Sequence, residues 1–310
     1  MSAITGSAMG LTGVMTDWEQ GMIDRIDRIQ LAVQDAGLAT STFTSILGAE
    51  HRRDDRVKAL AARRTVLAVG ESEFELLEAD GTGPIADHLA TKGEGLFGAG
   101  LSTADPMALK ARLAGQNVPV TAEGEQFFIA PEHTFGVPMV ISLTTARKRV
   151  GPVNYLYEVT NTILDNWGHA ATWYSGLFGI DPQKFHPITS EKFGYTGMLT
   201  LFNPPDRLDR IEISQVTNPD SAMGRWTGRH GNSLYMCYVE VHDLPDIIDR
   251  LNRHGCRWIP RGGDAATEEH GLFTHPKDFH GLLLGMSRST LAWKWSGQPD
   301  MVFGDFGSYA

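Results

Sequence analysis

The sequence predicts an α+β protein built from two tandem copies of one domain, and three observations carry that prediction. The first is a repeated helix design. Asp105-Pro-Met-Ala-Leu-Lys-Ala-Arg-Leu-Ala-Gly115 and Asp243-Leu-Pro-Asp-Ile-Ile-Asp-Arg-Leu-Asn-Arg-His-Gly255 each open with an Asp that can accept from free backbone N–H groups. Each has a proline in the first turn, where no N–H partner is lost. Each carries apolar residues at helical spacing (Leu109 and Leu113; Ile247, Ile248 and Leu251) and ends at a glycine suited to a left-handed cap. The second observation is a set of landmarks that pair in order: Val33 with Val159, Gly48 with Gly179, Glu75 with Glu212, Pro131 with Pro276, and Gly136 with Gly281. Their separation widens along the chain, as a loop insertion in the second copy would make it. Residues 192–209, rich in Gly and Pro, are the expected insertion. The third observation is the order strand, helix, strand, strand, strand, read twice within each copy.

The elements follow from local pattern. Short β-type runs at 29–33 and 155–159 each precede a helix that ends near Leu47-Gly48 or Phe178-Gly179. Ile163, Trp167, Ala171, Tyr174 and Phe178 share one face of the second of these helices. Further β-type runs lie at 65–69, 74–77, 198–202 and 210–214. Each second half begins at 96–101 or 234–241, passes through the capped helix, and ends in 126–129 with 137–143, or 272–274 with 282–286. The expected organisation is an extension at 1–19, a first domain at 20–148, a second at 151–290, and a tail at 291–310. The tail carries Trp293, Trp295, Phe303, Phe306 and Tyr309, and is expected to pack across a domain or subunit boundary.

Composition narrows the classes of function. Hydrophobic residues make up 42% and charged residues 21%, which supplies packed cores and argues against global disorder. Lys and Arg number 27 against 37 Asp and Glu, a formal charge of −10. That balance argues against nucleic-acid binding and against a basic membrane surface. No apolar run approaches the roughly 20 residues of a spanning helix. The N-terminal stretch is apolar but is broken by Gly6, Gly10 and Gly13 and lacks Lys and Arg, unlike a secretory signal. Cys237 and Cys256 sit in no CxxC pair. A disulfide framework is therefore not expected, and the cytoplasm is the default location.

One resemblance stands on particular residues. Phe74-Glu-Leu-Leu-Glu78 followed by Gly83-Pro-Ile-Ala-Asp-His-Leu-Ala-Thr-Lys-Gly-Glu-Gly95 resembles the methylmalonyl-CoA epimerase pattern E-L-L-E-P, S-P-I-A, G-E-G-I-H-H-I-A-F. Phe273-Thr-His-Pro-Lys-Asp278 with Gly281-Leu-Leu-Leu resembles F-L-H-P-K-D with G-V-L-L-E-L. These patterns belong to the vicinal oxygen chelate superfamily, which also holds glyoxalase I and the extradiol and 4-hydroxyphenylpyruvate dioxygenases. The resemblance covers roughly residues 20–290. It implies tandem domains, each of two βαβββ modules curled into an open barrel, with one divalent metal (Fe, Mn, Co or Zn) in the cavity.

Carried over position by position, the first His ligand falls on Arg28 and Tyr155, and the acidic ligand on Glu75 and Glu212. The second His falls on Gly98 and Met236, and the closing Glu on Val140 and Gly285. One carboxylate per domain does not hold a divalent ion, so the expectation is no metal and no other cofactor. In the first domain Arg28 is expected to meet Glu75 in a salt bridge that stands in for the metal. In the second, strand alternation groups Glu212 with Arg210 and Ser214, Tyr155 with Tyr157, and Met236 with Tyr238. Glu212, Tyr155 and Tyr157 are the candidate catalytic residues. The carboxylate would act as general base and the phenols would hold an oxyanion. Arg210, Ser214, Met236, Tyr238 and His275 are the candidate substrate-binding residues. The competing reading is that Arg210 or a tyrosine simply satisfies Glu212.

Other features have modest readings. His270, His275 and His280 with Glu269 could form a relocated metal site, although His275 also reads as part of a structural turn. Arg225, Trp226, Arg229 and His230 form a basic, aromatic patch that is either an anion site or an exposed helix. The resemblance and the cavity residues together suggest an enzyme moving a proton next to a carbonyl in a small oxygenated substrate, aromatic or acyl-thioester: an isomerase, epimerase or lyase. The alternatives are a metal-dependent dioxygenase and a non-catalytic sequestration protein. The expected partner is a small molecule, with no nucleic acid and no membrane. The aromatic tail would be the means of any homodimer.

Overall fold

A computed structural model describes residues 21–261 and 271–297. The first half opens with a βαβββ module of β1 (Arg25–Ala32), α1 (Ala36–Leu47), β2 (Glu50–Val57), β3 (Ala62–Val69) and β4 (Ser72–Ala79). Helix α2 (Pro84–Lys92) leads to a second module of β5 (Gly95–Thr103), α3 (Pro106–Gly115), β6 (Val120–Glu123), β7 (Gln126–Ile129) and β8 (Met139–Leu143). The second half repeats the plan. It comprises β9 (Val153–Ile163), α4 (Trp167–Phe178), β10 (His186–Ser190), β11 (Tyr195–Leu201), β12 (Arg210–Val216) and α5 (Ala222–His230). Then follow β13 (Ser233–Val241), α6 (Leu244–Arg253), β14 (Trp258–Pro260), β15 (Leu272–Thr274), β16 (Leu284–Ser287) and α7 (Ser289–Trp295).

The two eight-stranded sheets have matching orders, β2-β3-β4-β1-β5-β8-β7-β6 and β10-β11-β12-β9-β13-β16-β15-β14. The chain is thus α+β, a tandem pair of curled mixed sheets. Apolar faces of α1, α3, α4 and α6 pack on one side of the sheets in a continuous core around Phe43, Phe74, Tyr174 and Phe178. The other side of each sheet holds the residues that matter for function. Edge strand β2 is almost wholly exposed and charged (Glu-His-Arg-Arg-Asp-Asp-Arg), which discourages edge-to-edge pairing with another chain.

Helix ends obey the sequence signals with one revision. Gly48 and Gly179 close α1 and α4 at φ 63 and 62. Asp105 caps α3 by accepting from Met107 and Ala108, and Asp243 caps α6 by accepting from Asp246. Gly255 follows α6 at φ 66, but Gly115 lies inside α3, and the left-handed residue there is Asn117 at φ 59. Asn tolerates that conformation, so the glycine is not needed for the turn.

The landmark glycines of the two turns do reciprocal work. Gly136, at φ 83, packs on the Asn232 backbone just before β13, and Gly281, at φ 79, packs on the Glu94 backbone just before β5. A Cβ at either place would overlap the other half of the molecule. The insertion lies within the expected stretch: β3 and β4 join at Gly70 and Glu71, whereas β11 and β12 are joined by residues 202–209. The described part of the tail does not bridge domains. Helix α7 folds back on the second sheet, where Trp293 is buried with Tyr157, Leu199 and Met236.

Candidate functional site

The strands fix which side chains meet, and register corrects one sequence assignment. In the first sheet Arg28 lies beside Glu73, and Gln30 beside Glu75. In the second sheet Glu158 lies beside Arg210, and Thr160 beside Glu212. The counterpart of Arg28 is therefore Glu158, not Tyr155, and Val33 corresponds to Ile163 rather than Val159. Each copy carries a β-bulge at this point. Tyr238 pairs with Glu158 but Val239 pairs with Leu156, which leaves Tyr157 as the extra residue. The same bulge in the first sheet leaves Asp27 extra, since Ile26 pairs with Leu101 and Arg28 with Gly100. Two consecutive side chains then face the concave side, and simple alternation fails after them.

Glu212, Met236 and Tyr238 line a cavity of about 590 Å³ on the concave side of the second sheet. Phe193, Tyr195, Tyr235, Phe273 and Trp295 supply much of its wall, and Arg261 supplies a cation. Tyr157 does not reach this cavity. It is wholly buried, bonds to Ser287 at 2.7 Å and stacks on Tyr238 with ring centroids 5.7 Å apart. Tyr155 is half-buried and lies under the Arg207 guanidinium, 4.2 Å from its ring centre. Neither tyrosine is placed to act on a molecule in the cavity. His275 is exposed and accepts from the Lys277 backbone at 3.2 Å, so it caps a turn and does not bind there. His280 turns to the first domain, bonding Thr42 at 3.0 Å, with Glu94 at 3.7 Å. His275 and His280 thus make no shared site; His270 and Glu269 lie outside the described residues.

The acid chemistry centres on two carboxyl groups. Glu158 was not singled out by sequence, and it lies beneath Glu212. Arg210 donates to Glu158 at 2.7 Å and to Ser296 at 2.8 Å. Arg210 therefore serves Glu158 and not Glu212. Ser214 donates to Glu212 at 2.5 Å. The Glu212 and Glu158 carboxyls lie within hydrogen-bond reach of one another, and one guanidinium cannot neutralise both. Burial, and then the Glu158 charge, push Glu212 up to about 8 from an ordinary value of 4.5. Glu212 is thus the carboxyl that holds a proton and reaches the cavity. Burial also raises the Tyr238 phenol, and Arg261 donates to its oxygen at 3.3 Å. That leaves the phenolic proton free to be donated.

The first sheet differs. Glu75 is fully buried and accepts from Arg28 at 3.3 Å, Arg64 at 3.1 Å and Gln30 at 2.8 Å. The expected Arg28–Glu75 salt bridge is present, extended by Asp27 and Ser142. Gly98 and Gly100 give room to the Gln30 and Arg28 side chains, and a cavity of about 670 Å³ lined by Arg28, Arg64, Glu73, Gln126 and Arg147 adjoins this network.

A solved structure shares this architecture. No protein-family model matches the chain, and no curated protein sequence matches it. Among solved structures, a mutant of 4-hydroxymandelate synthase from Streptomyces coelicolor aligns over 86% of this chain and 92% of its own, with a TM-score of 0.68 at 13% identity. The fold is that of the vicinal oxygen chelate proteins. Methylmalonyl-CoA epimerase from Mycobacterium tuberculosis aligns over 40% of this chain and 91% of its own, with 22% identity and a TM-score of 0.37.

The metal that this fold implies can be tested against the residues present. In the second domain the four ligand positions are Glu158, Glu212, Met236 and Gly285. Glu158 is held by a guanidinium, and a side chain at Gly285 would overlap the Tyr238 ring. In the first domain Arg28 itself occupies a ligand position. Among the described residues no group of three or more His, Cys, Asp or Glu is arranged to hold an ion. These donor sets do not fit a divalent metal. Among the described residues, no helix is long and apolar enough to cross a membrane.

Proposed function

We propose that the second vicinal oxygen chelate domain is a metal-independent acid–base site that moves a proton next to a carbonyl group in a small oxygenated, largely aromatic substrate. The observation that carries this reading is the Glu212–Glu158 carboxyl pair opening on an otherwise apolar cavity. A carboxyl held near 8 is a far stronger base, once ionised, than an ordinary Glu, and its protonated form is available to return the proton. The Glu158 beneath it supplies the repulsion that raises that basicity. Tyr238, its oxygen already accepting from Arg261, can donate to an oxyanion forming on the substrate carbonyl. Thr189, Ser190 and the aromatic wall would orient the ligand and exclude water. No step calls for a metal, in keeping with the donor sets.

The test is proton exchange. A panel of aromatic oxo acids and acyl thioesters is incubated with the protein in deuterium oxide, and loss of the signal next to the carbonyl is followed by NMR. Exchange is expected to rise as pH passes through about 8, where Glu212 ionises. Glu212→Gln should lower it by about 10²–10⁴-fold, the usual range for a general base. Glu75→Gln should leave it in place, and a chelator should have no effect. Exchange that survives Glu212→Gln sinks the reading. Binding without exchange in the wild type favours sequestration instead.

A further inference from the structure

Arg261 stands apart from the other buried cations. Arg28, Arg64, Arg147, Arg207 and Arg210 each lie against a carboxylate. Arg261 lines the cavity, yet among the described residues its side chain meets no carboxylate. Its guanidinium lies over the Trp295 ring at 3.7 Å from the centroid, and Nε donates to Tyr238 at 3.3 Å. Its backbone N–H is held by Gly271 at 2.9 Å, so the side chain starts from a fixed point at the end of β14. Stacking on an indole and one phenol leaves guanidinium N–H groups to spare, and a desolvated guanidinium calls for an anion.

The neighbours define what kind of anion. The carboxyl lining the same cavity, Glu212, holds its proton at neutral pH, so it does not balance the Arg261 charge. Phe193, Tyr195, Tyr235 and Phe273 offer flat apolar surfaces. A volume of about 590 Å³ accommodates a bicyclic ring. The geometry points to a carboxylate-bearing aromatic molecule as the ligand, its carboxylate on Arg261 and its ring body against the aromatic wall. A planar carboxylate matches the guanidinium fork, which a spherical anion does not. This inference rests on the cavity assigned above as the functional one, and it adds the charge and shape of what enters.

The experiment compares two probes of one shape, 2-naphthoate and 2-naphthamide, by calorimetric titration of the full chain. The wild type is expected to bind the carboxylate at least about tenfold more tightly than the amide. Arg261→Met should lose roughly 10- to 100-fold in 2-naphthoate affinity, the range for a charge-assisted hydrogen bond, with 2-naphthamide affinity unchanged. Lys192→Met, which removes the other cation lining the cavity, should keep the preference. Equal binding of the two probes by the wild type, or a preference that persists in Arg261→Met, overturns the anion anchor and leaves the acid–base reading standing. Failure of both probes to bind overturns the anchor and the cavity assignment together. Should Arg261→Met fail to fold, the wild-type probe pair and Lys192→Met still decide.

Discussion

The two concave faces start from the same plan and resolve a buried glutamate in opposite ways. Glu75 and Glu212 occupy one position in the repeat, each on the fourth strand of its domain. Around Glu75 two guanidinium groups and two amides supply matched partners, and Arg28, Arg64 and Gln126, not Glu75, face the first-sheet cavity. Glu212 instead meets another carboxyl, whose own guanidinium, Arg210, does not line the cavity. The difference begins with one exchange of sign. Arg28 beside Glu73 becomes Glu158 beside Arg210 at the same register. That exchange turns a carboxylate with matched cations into one that is a cation short. A buried carboxylate is thus held in matched ion pairs in one sheet and pushed up in the other, where it is left one partner short.

Three measurements can break or sharpen this contrast. The largest expected effect lies in the first domain. Arg28→Met removes the cation shared by Asp27, Glu73 and Glu75, leaving Arg147 and Arg64 to serve them, and should cost about 3–5 kcal/mol in urea denaturation. A loss below 1 kcal/mol would show that the network is not a matched unit. Comparable in size is the pH dependence of stability. Folded Glu212 keeps a proton that the unfolded chain releases near 4.5, so stability should fall as pH rises from about 4.5 to 8, then level off. The shift from 4.5 to about 8 sets that fall at no more than about 5 kcal/mol. Glu212→Gln should flatten that part of the profile, and Glu75→Gln should not. The smallest effect concerns Gly285, whose missing side chain makes room for Tyr238. Gly285→Ala should destabilise by about 1–3 kcal/mol through overpacking and should also weaken ligand binding. Binding left intact would place Tyr238 outside the working site.

Much of the fold was legible because its signals are local. The Asp caps of α3 and α6, the glycines after α1 and α4, and the order of strands and helices each depend on a few neighbouring residues. On β12 alternation also held: Arg210, Glu212 and Ser214 all face inward. It failed on β9, where the bulge at Tyr157 shifts the phase and brings Glu158 inward, while Tyr155 and Tyr157 serve packing. A bulge is set by cross-strand pairing and leaves little trace in one strand alone. One sign was available: Arg28-Ile29-Gln30 and Glu158-Val159-Thr160 share a charged–branched–polar pattern in otherwise apolar runs. Arg261 and Trp295 could not be found this way, since they come from a strand end and a terminal helix and meet only in three dimensions.

The reversed ion pair also bears on how a duplicated chain assembles correctly. Two similar halves risk mixing strands before either is complete. Were β1 to dock against β12, Arg28 would fall beside Arg210; were β9 to dock against β4, Glu158 would fall beside Glu73. Each wrong match sets like charges side by side in the interior, so each half recruits its own strand. The reversed pair thereby doubles as a label of kinship for the nascent polypeptide.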